Sequence, residues 1–146
     1  MARKVFFSFK YDDVQRAMNV RNSNVIEGDK KSGFIDKAAF EKVEKNGYGA
    51  IKKWIDKQLE GTTVTVVLVG KNTHKSRWVK YEIDQSIARG NGIITIDISK
   101  IPDLQENTTD CCSLRVPDCD HYQWNNDKGR KNLGKWVESA AEKAGK

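Results

Sequence analysis

Short apolar runs alternate along the chain with segments of helical periodicity. The runs are rich in β-branched and aromatic residues and are too short for helices, so they predict buried strands. The clearest strand predictions are Val5–Phe9, residues 62–69 and residues 93–98. Residues 121–124 predict a short edge strand, and residues 24–26 are a weaker candidate.

Between the strands, apolar residues recur every three to four positions, which predicts helices that pack on a sheet. The clearest examples are Tyr48–Leu59 and residues 77–89. In the second of these, Val79, Ile83 and Ile87 form the predicted apolar stripe. Weaker patterns predict three more helices: residues 14–20, residues 38–45, and a last helix that follows the cap-forming residues 125–127.

This alternation of strand and helix predicts an α/β fold of the flavodoxin-like type. We expect one domain over residues 1–146, with a central, mostly parallel sheet and helices on both faces, because short links favour right-handed parallel crossovers. Residues 99–124 hold both prolines and no hydrophobic period, which predicts a long irregular loop region within that domain.

The composition narrows the class of protein. The net charge is +6, but the cations are scattered and no basic run reaches five residues, which favours a solvated basic surface over a nucleic-acid site. No apolar stretch approaches the ~20 residues of a membrane span, and the amino terminus lacks a signal-peptide core. These features and the odd number of cysteines predict a cytoplasmic protein with reduced thiols.

A metal site is not predicted. Cys111, Cys112, Cys119 and His121 cluster in one loop, but adjacent cysteines followed by a long gap do not match the spacing of structural zinc sites. The chain also lacks a glycine-rich phosphate loop, and its two histidines do not suggest a Ser-His-Asp arrangement.

The candidate chemistry lies in residues 76–82, which follow a central strand. Glu82 is about one turn into the predicted helix, and Trp78 is four residues earlier, on the same side. Ligands of parallel sheets bind beyond the carboxyl ends of the strands, where Ser8 also lies. We therefore expect Glu82 at the edge of a crevice, as a candidate catalytic carboxylate; the alternative is a solvated helix residue.

Two motifs carry a family resemblance. Residues 4–13 follow the opening strand of TIR domains, Asp-Val-Phe-Ile-Ser-Phe and a polar turn, with Lys4 in place of the leading Asp. Residues 76–82 keep the Ser, Trp and Glu of the TIR motif Ser-x-Trp-Cys-x-x-Glu, with Val79 in place of the cysteine. The chain thus resembles TIR domains. Further segments extend the likeness to the compact bacterial TIR-like family that includes the Thoeris anti-phage protein: residues 20–23, 51–55, 61–70 and 132–137.

The resemblance implies an enzyme that uses NAD as its substrate and needs no cofactor. Such enzymes cleave the nicotinamide–ribose bond and release a cyclic or modified ADP-ribose, which activates a separate effector protein. It also implies a homo-oligomer and a phage-derived trigger. Glu82 would be the catalytic carboxylate, because it can stabilise positive charge on the ribose. The predicted substrate-binding residues are Phe6, Ser8, Phe9, Asp12, Arg16, Asn22, Ser23 and Trp78.

Each of these residues also has a structural interpretation. The aromatic residues are typical of a core, Asp12 of a helix cap and Arg16 of a surface charge. Two other functions therefore stay open at this point. One is a TIR-like adaptor that assembles with partners and has no catalysis. The other is an enzyme like the nucleoside deoxyribosyltransferases, which would use a sugar-stabilising Glu and leave NAD intact.

Overall fold

The computed structural model describes residues 3–21, 31–32, 43 and 45–146. Within these residues, five strands form one sheet in the order β2-β1-β3-β4-β5, and every neighbouring pair is parallel. The strands are β1 (Val5–Phe9), β2 (Lys31–Ser32), β3 (Val64–Val69), β4 (Gly92–Asp97) and β5 (His121–Gln123). The prediction of a mostly parallel central sheet, with residues 121–124 at its edge, is confirmed.

Four α-helices lie among the described residues: α1 (Val14–Arg21), α2 (Tyr48–Leu59), α3 (Arg77–Ala88) and α4 (Gly129–Lys143). Helices α1 and α4 share one hydrophobic cluster with the sheet, whereas α2 and α3 pack in clusters on the other face. The predicted α/β architecture with helices on both faces is therefore confirmed. None of these helices is long and apolar enough to cross a membrane.

Strand β3 explains how one sheet can carry helices on both sides. All six of its residues are buried. Successive side chains of a strand point to opposite faces, so Val64, Val66 and Leu68 join the α1/α4 core, whereas Val67 and Val69 pack towards α3. Each fully buried aliphatic side chain contributes about 1.5–3 kcal/mol, which makes this central strand the main anchor of the fold.

The predicted apolar stripe of α3 is wrong at Ile87, which is 56% exposed. The buried residues of this helix are Val79, Glu82 and Ser86, at the i, i+3, i+7 spacing of one helix face. Because Ser86 occupies the position that faces the sheet, the next residue turns outward. The packed stripe of α3 is thus partly polar.

The last helix does not begin with a cap from residues 125–127. It begins at Gly129, after Lys128 in the left-handed conformation (φ 55°), and no side chain caps it. The carboxylate of Asp127 instead accepts the backbone N–H of Gln123, and Gly129 N donates to Trp124 O at 2.7 Å. These polar residues therefore close the turn after β5.

Residues 98–120 form turns and bends without a helix or strand, whereas residues 121–123 of the predicted irregular region 99–124 form β5. The predicted strand at residues 24–26 lies outside the described residues, as does most of the predicted helix at residues 38–45. The strand beside β1 that the structure does describe is Lys31–Ser32.

Candidate active site

Glu82 and Ser8 meet on the sheet face that α3 covers. Ser8 Oγ donates a hydrogen bond of 2.7 Å to Glu82 Oε1, and both residues are buried, with 0% and 7% of their surface exposed. The start of α3 is set by Ser76, whose side chain accepts the backbone N–H of Val79 at 3.2 Å. This start places Glu82 on the stripe that faces β1.

The environment of Glu82 favours its neutral form. Burial raises the pKa of this carboxyl to about 8, and the hydrogen bond from Ser8 lowers it by a smaller amount. No cation among the described residues pairs with it. The sequence predicted Glu82 at the edge of a crevice, whereas the structure buries its side chain between α3 and β1. In this state, the carboxyl is mostly protonated at neutral pH.

A chain of polar side chains seats α3 on the sheet next to Glu82. Ser86 Oγ donates to Glu82 O at 2.7 Å and lies 2.7 Å from Thr65 Oγ1. Asn91 Nδ2 donates to Thr62 Oγ1 at 3.0 Å and to Thr65 Oγ1 at 3.3 Å. Each such bond contributes about 1 kcal/mol, and a buried polar atom left unpaired costs more. These hydrogen bonds fix the backbone of α3 at Glu82.

Aromatic side chains cover the α2 side of this site. Phe6 is fully buried in a cluster with α2, against which Trp78 and Tyr81 pack. The ring of Trp78 lies 4.8 Å from that of Tyr48 and 6.2 Å from that of Tyr81, centroid to centroid. Phe6 and Trp78 therefore share the sheet face of Ser8 and Glu82, as the sequence-based site required.

Two cations lie over these rings. The Arg77 guanidinium is 5.0 Å from the Tyr48 centroid and 5.1 Å from that of Trp78. Lys52 Nζ is 4.5 Å from the Tyr48 centroid and 5.4 Å from that of Tyr81. Such contacts stabilise by about 0.5–1 kcal/mol at exposed sites. Sequence reasoning missed Tyr48, Tyr81 and both cations, because their grouping depends on how α2 and α3 pack together.

Comparison with known proteins decides the family. The family model described as "Thoeris protein ThsB, TIR-like domain" matches residues 6–103, a range that includes both Ser8 and Glu82. The chain belongs to this family. It is also 37% identical, over 142 residues, to the provisionally named cyclic ADP-D-ribose synthase ThsB1 of Bacillus cereus (strain MSX-D12). That match covers 94% of this chain and 72% of the relative. The TIR resemblance inferred from the two motifs is thus confirmed.

Other predicted site residues of this Thoeris TIR-like chain lie elsewhere. The side chain of Phe9 packs against the α1/α4 core, on the opposite face from Ser8. This follows from the alternation of strand side chains, because Phe9 is one residue beyond Ser8. Asp12 is exposed and pairs with Lys10. The structure does not bring Phe9 or Asp12 to Glu82, and their substrate-binding roles stay predictions.

Arg16 is buried and holds the irregular region of the TIR-like chain. Its Nε donates to Ile101 O at 2.8 Å, and its terminal nitrogens donate to Asn107 O at 3.0 Å and to Asp13 Oδ1 at 3.5 Å. The alternative interpretation of Arg16 as a surface charge is therefore wrong. Its donors are engaged by the loop, and binding of a diphosphate stays a prediction. The remaining candidates, Asn22 and Ser23, lie outside the described residues.

The three cysteines of the TIR-like chain are free and partly buried, and they pack against the apolar cluster that includes Val116. Burial is the main reason that the pKa of the Cys111 thiol rises to about 12. Its Sγ donates a weak hydrogen bond of 3.6 Å to Val69 O. Among the described residues, no group of three His, Cys, Asp or Glu is arranged to hold a metal ion.

Proposed function

We propose that this chain is a TIR-type enzyme that breaks the nicotinamide–ribose bond of NAD and forms a cyclic or modified ADP-ribose. In this proposal, the product is a signal that activates a separate effector protein in defence against phage. The observation that carries the proposal is the buried pair of Ser8 and Glu82, within the residues that match the family. The name of the relative, a cyclic ADP-D-ribose synthase, supports the choice of substrate.

The reaction suits a single carboxylate. As the bond between the ribose carbon and the nicotinamide nitrogen breaks, its electron pair goes to the nitrogen and positive charge builds on the sugar. Nicotinamide leaves as a neutral ring, so no general acid is needed. The Glu82 carboxylate would stabilise the sugar cation, and a desolvated carboxylate does so more strongly than one in water.

The sugar cation is then captured by a nucleophile. If water attacks, the product is linear ADP-ribose and a proton is released. If another group of the same dinucleotide attacks first, the product is cyclic. The relative's name favours the cyclic outcome.

The raised pKa of Glu82 fits this role. A substrate that carries a positively charged nicotinamide ring would favour the ionised carboxylate, so its proton would leave when NAD binds. Ser8 donates to only one carboxylate oxygen, Oε1. The other oxygen would accept a hydrogen bond from a ribose hydroxyl. The enzyme would therefore create its active charge only in the presence of substrate.

The aromatic residues and cations near Trp78 would help to hold the dinucleotide. Phe6 and Trp78 would form the wall beside the nicotinamide ring. Arg77 and Lys52 would attract the diphosphate, in keeping with the net charge of +6.

The test is the product spectrum after NAD is incubated with wild-type protein, Glu82→Gln and the matched control Glu142→Gln. Glu142 is an exposed carboxylate far along the chain in α4, so its replacement makes the same change of side chain without touching the site. We expect wild type and Glu142→Gln to consume NAD and release nicotinamide. The rate of NAD consumption by Glu82→Gln should be at least ~100-fold lower, because this variant lacks the carboxylate that stabilises the sugar cation in the transition state.

The same three proteins should be assayed in lysates of phage-challenged cells, because the enzyme would need a trigger and assembly of several copies. The mass and retention time of the product separate hydrolysis from cyclisation. If NAD stays intact in both settings while Glu82→Gln still protects cells, the protein is an adaptor. If NAD stays intact while nucleosides exchange their bases, it is a transferase of the deoxyribosyltransferase type.

A further inference from the structure

A hollow of about 250 Å³ separates the outer side of α3 from the irregular region. Helix α3 contributes Val79, Ile83 and Ile87 to its lining, and the loop contributes Leu114 and Val116. Val79 and Val116 are buried, whereas more than half of Ile87 is exposed. The hollow is thus an apolar recess with an exposed aliphatic side chain at its edge.

The charged groups that line this hollow are mainly basic, and its other polar residues are Thr73, His74 and Ser76. Lys80 and Arg115 each contribute a positive charge, and Asp84 contributes the single negative charge. Arg115 donates to Leu114 O at 2.8 Å, which holds its guanidinium against the loop. Neither cation forms an ion pair within the described part of the chain. An apolar recess with two unpaired cations is complementary to a ligand that combines an apolar body with a negative charge.

The size of the hollow limits that ligand. An apolar cavity of about 150 Å³ can hold one benzene ring. Sites for drug-sized ligands measure about 300–1,000 Å³, so the hollow is too small for a whole dinucleotide. It fits a ligand of one or two rings.

The hollow is also distinct from the candidate active site. Ser8, Glu82 and Trp78 do not line it, and the loop segment that closes it lies beyond residue 103, where the family match ends. Val79 packs on β3 and β4, whereas Glu82 reaches β1, so the two sites use neighbouring sides of one helix.

We propose that this hollow is a binding site for a small apolar anion, namely an aromatic ring system that carries one carboxylate or sulfonate. The ring contacts Ile83, Ile87 and Leu114, and the negative group lies between Lys80 and Arg115. The site binds this ligand without help from Glu82 and does not compete with NAD.

The probe for the test is naphthalene-2-sulfonate, a two-ring anion whose binding is followed by isothermal titration calorimetry. We expect saturable binding of one probe per chain. The double variant Lys80→Gln/Arg115→Gln should bind it about tenfold more weakly, since two charge-assisted contacts are lost. The same variant should bind the uncharged analogue naphthalene-2-sulfonamide as wild type does. Indole acetate should displace the probe.

Three controls complete the experiment. Lys53→Gln/Arg89→Gln removes two exposed charges outside the hollow and should bind the probe like wild type. Leu114→Trp, checked for an unchanged melting temperature, should fill the hollow and abolish binding of both probes. Glu82→Gln should bind them normally, which keeps this test independent of whether NAD is turned over. Equal probe affinity in the two double variants, or displacement of the probe by NAD, would overturn the proposal.

Discussion

Ser8 and Glu82 are 74 residues apart in sequence, yet the buried Ser8 hydroxyl donates to the buried Glu82 carboxyl across 2.7 Å. The pair joins β1 to α3. A buried carboxyl with one neutral partner is costly to ionise, and such groups are common where the charge is needed only at one step of a reaction.

Replacement of Glu82 by Gln should stabilise the protein. The pKa of Glu82 is raised from 4.5 to about 8, so the folded protein holds a proton that the unfolded chain loses over this range. The stability contribution is therefore complete below pH 4.5 and is lost as the pH rises towards 8. At pH 7, the raised pKa of Glu82 lowers the free energy of unfolding of wild type by about 3 kcal/mol. Gln avoids this loss, but its amide has no partner and costs about 1 kcal/mol. We expect a net gain of about 2 kcal/mol in urea unfolding at pH 7.

The pH dependence separates this effect from simple repacking. In wild type, the free energy of unfolding should decrease between pH 5 and pH 8, whereas in Glu82→Gln the decrease should be much smaller. Glu142→Gln, which removes an exposed carboxylate, should keep the wild-type slope. If the free energy of unfolding changes equally with pH in wild type and Glu82→Gln, the pKa of Glu82 is not raised.

Replacement of Ser8 by Ala should move the pKa of Glu82 further upward. The hydrogen bond from Ser8 lowers this pKa, because it stabilises the ionised carboxylate, and Ala removes it. We expect the rising limb of the pH–rate profile for NAD consumption to shift to higher pH. A carbon-labelled glutamate NMR titration measures the same shift without relying on activity. Ser8→Thr, which keeps a hydroxyl, should restore part of the wild-type value; a profile that does not move would remove Ser8 from the titration of Glu82.

Replacement by Ala should destabilise the protein at Gly92 and stabilise it at Gly49. At Gly92, a Cβ would lie 2.3 Å from the backbone oxygen of Ala140, so β4 and α4 would have to separate. We expect Gly92→Ala to destabilise by about 2 kcal/mol or more. At Gly49, in the first turn of α2, a Cβ meets nothing within 4 Å. Gly49→Ala should stabilise by about 0.5–1 kcal/mol. Thermal unfolding of the two variants side by side tests the close approach of α4 to the sheet.

Arg16 and Asp13 should behave as a coupled buried pair. Arg16→Ala would leave the Asp13 carboxylate buried without its cation and release two carbonyls of the irregular region, so we expect a loss of about 3 kcal/mol. Once Arg16 has been replaced, the further change Asp13→Asn should lower the free energy of unfolding by much less than Asp13→Asn does in the wild-type protein. Arg130→Ala, an exposed cation in α4, is the matched control. If the two single changes simply add, the pair does not act as a unit.

The sequence predicted the elements that carry strong periodic patterns. The bounds of α2 agree with the prediction, and β3, β4 and α3 agree within two residues. The meeting of Ser8 and Glu82 followed from parallel strands that end at one edge of a sheet. The depth of Glu82 did not follow, because Ser86, one turn later on α3, is a polar residue that a hydrophobic pattern assigns to solvent. Its burial depends on its hydrogen bond with Thr65.

Other parts of the site required the packed structure. The cluster of Tyr48, Trp78 and Arg77 depends on how α2 lies beside α3, which no local pattern encodes. The partners of Arg16 come from an aperiodic loop 85 and 91 residues away. The position of Phe9 could be predicted from the sequence. Side chains along β1 alternate between the two faces of the sheet, which separates Phe9 from Ser8.

The order of the strands has a consequence for how the chain is made. From β4 onward, each described strand pairs with the strand synthesised just before it, so the sheet can grow at one edge as the nascent chain lengthens. Ser8 and Glu82 can therefore meet before α4 has joined the sheet. Until α4 arrives, however, Leu68, Ile94 and Ile96 remain uncovered on the other face. During that interval, the growing chain exposes an aggregation-prone surface, and a chain truncated before α4 should bind chaperones more strongly than the full chain.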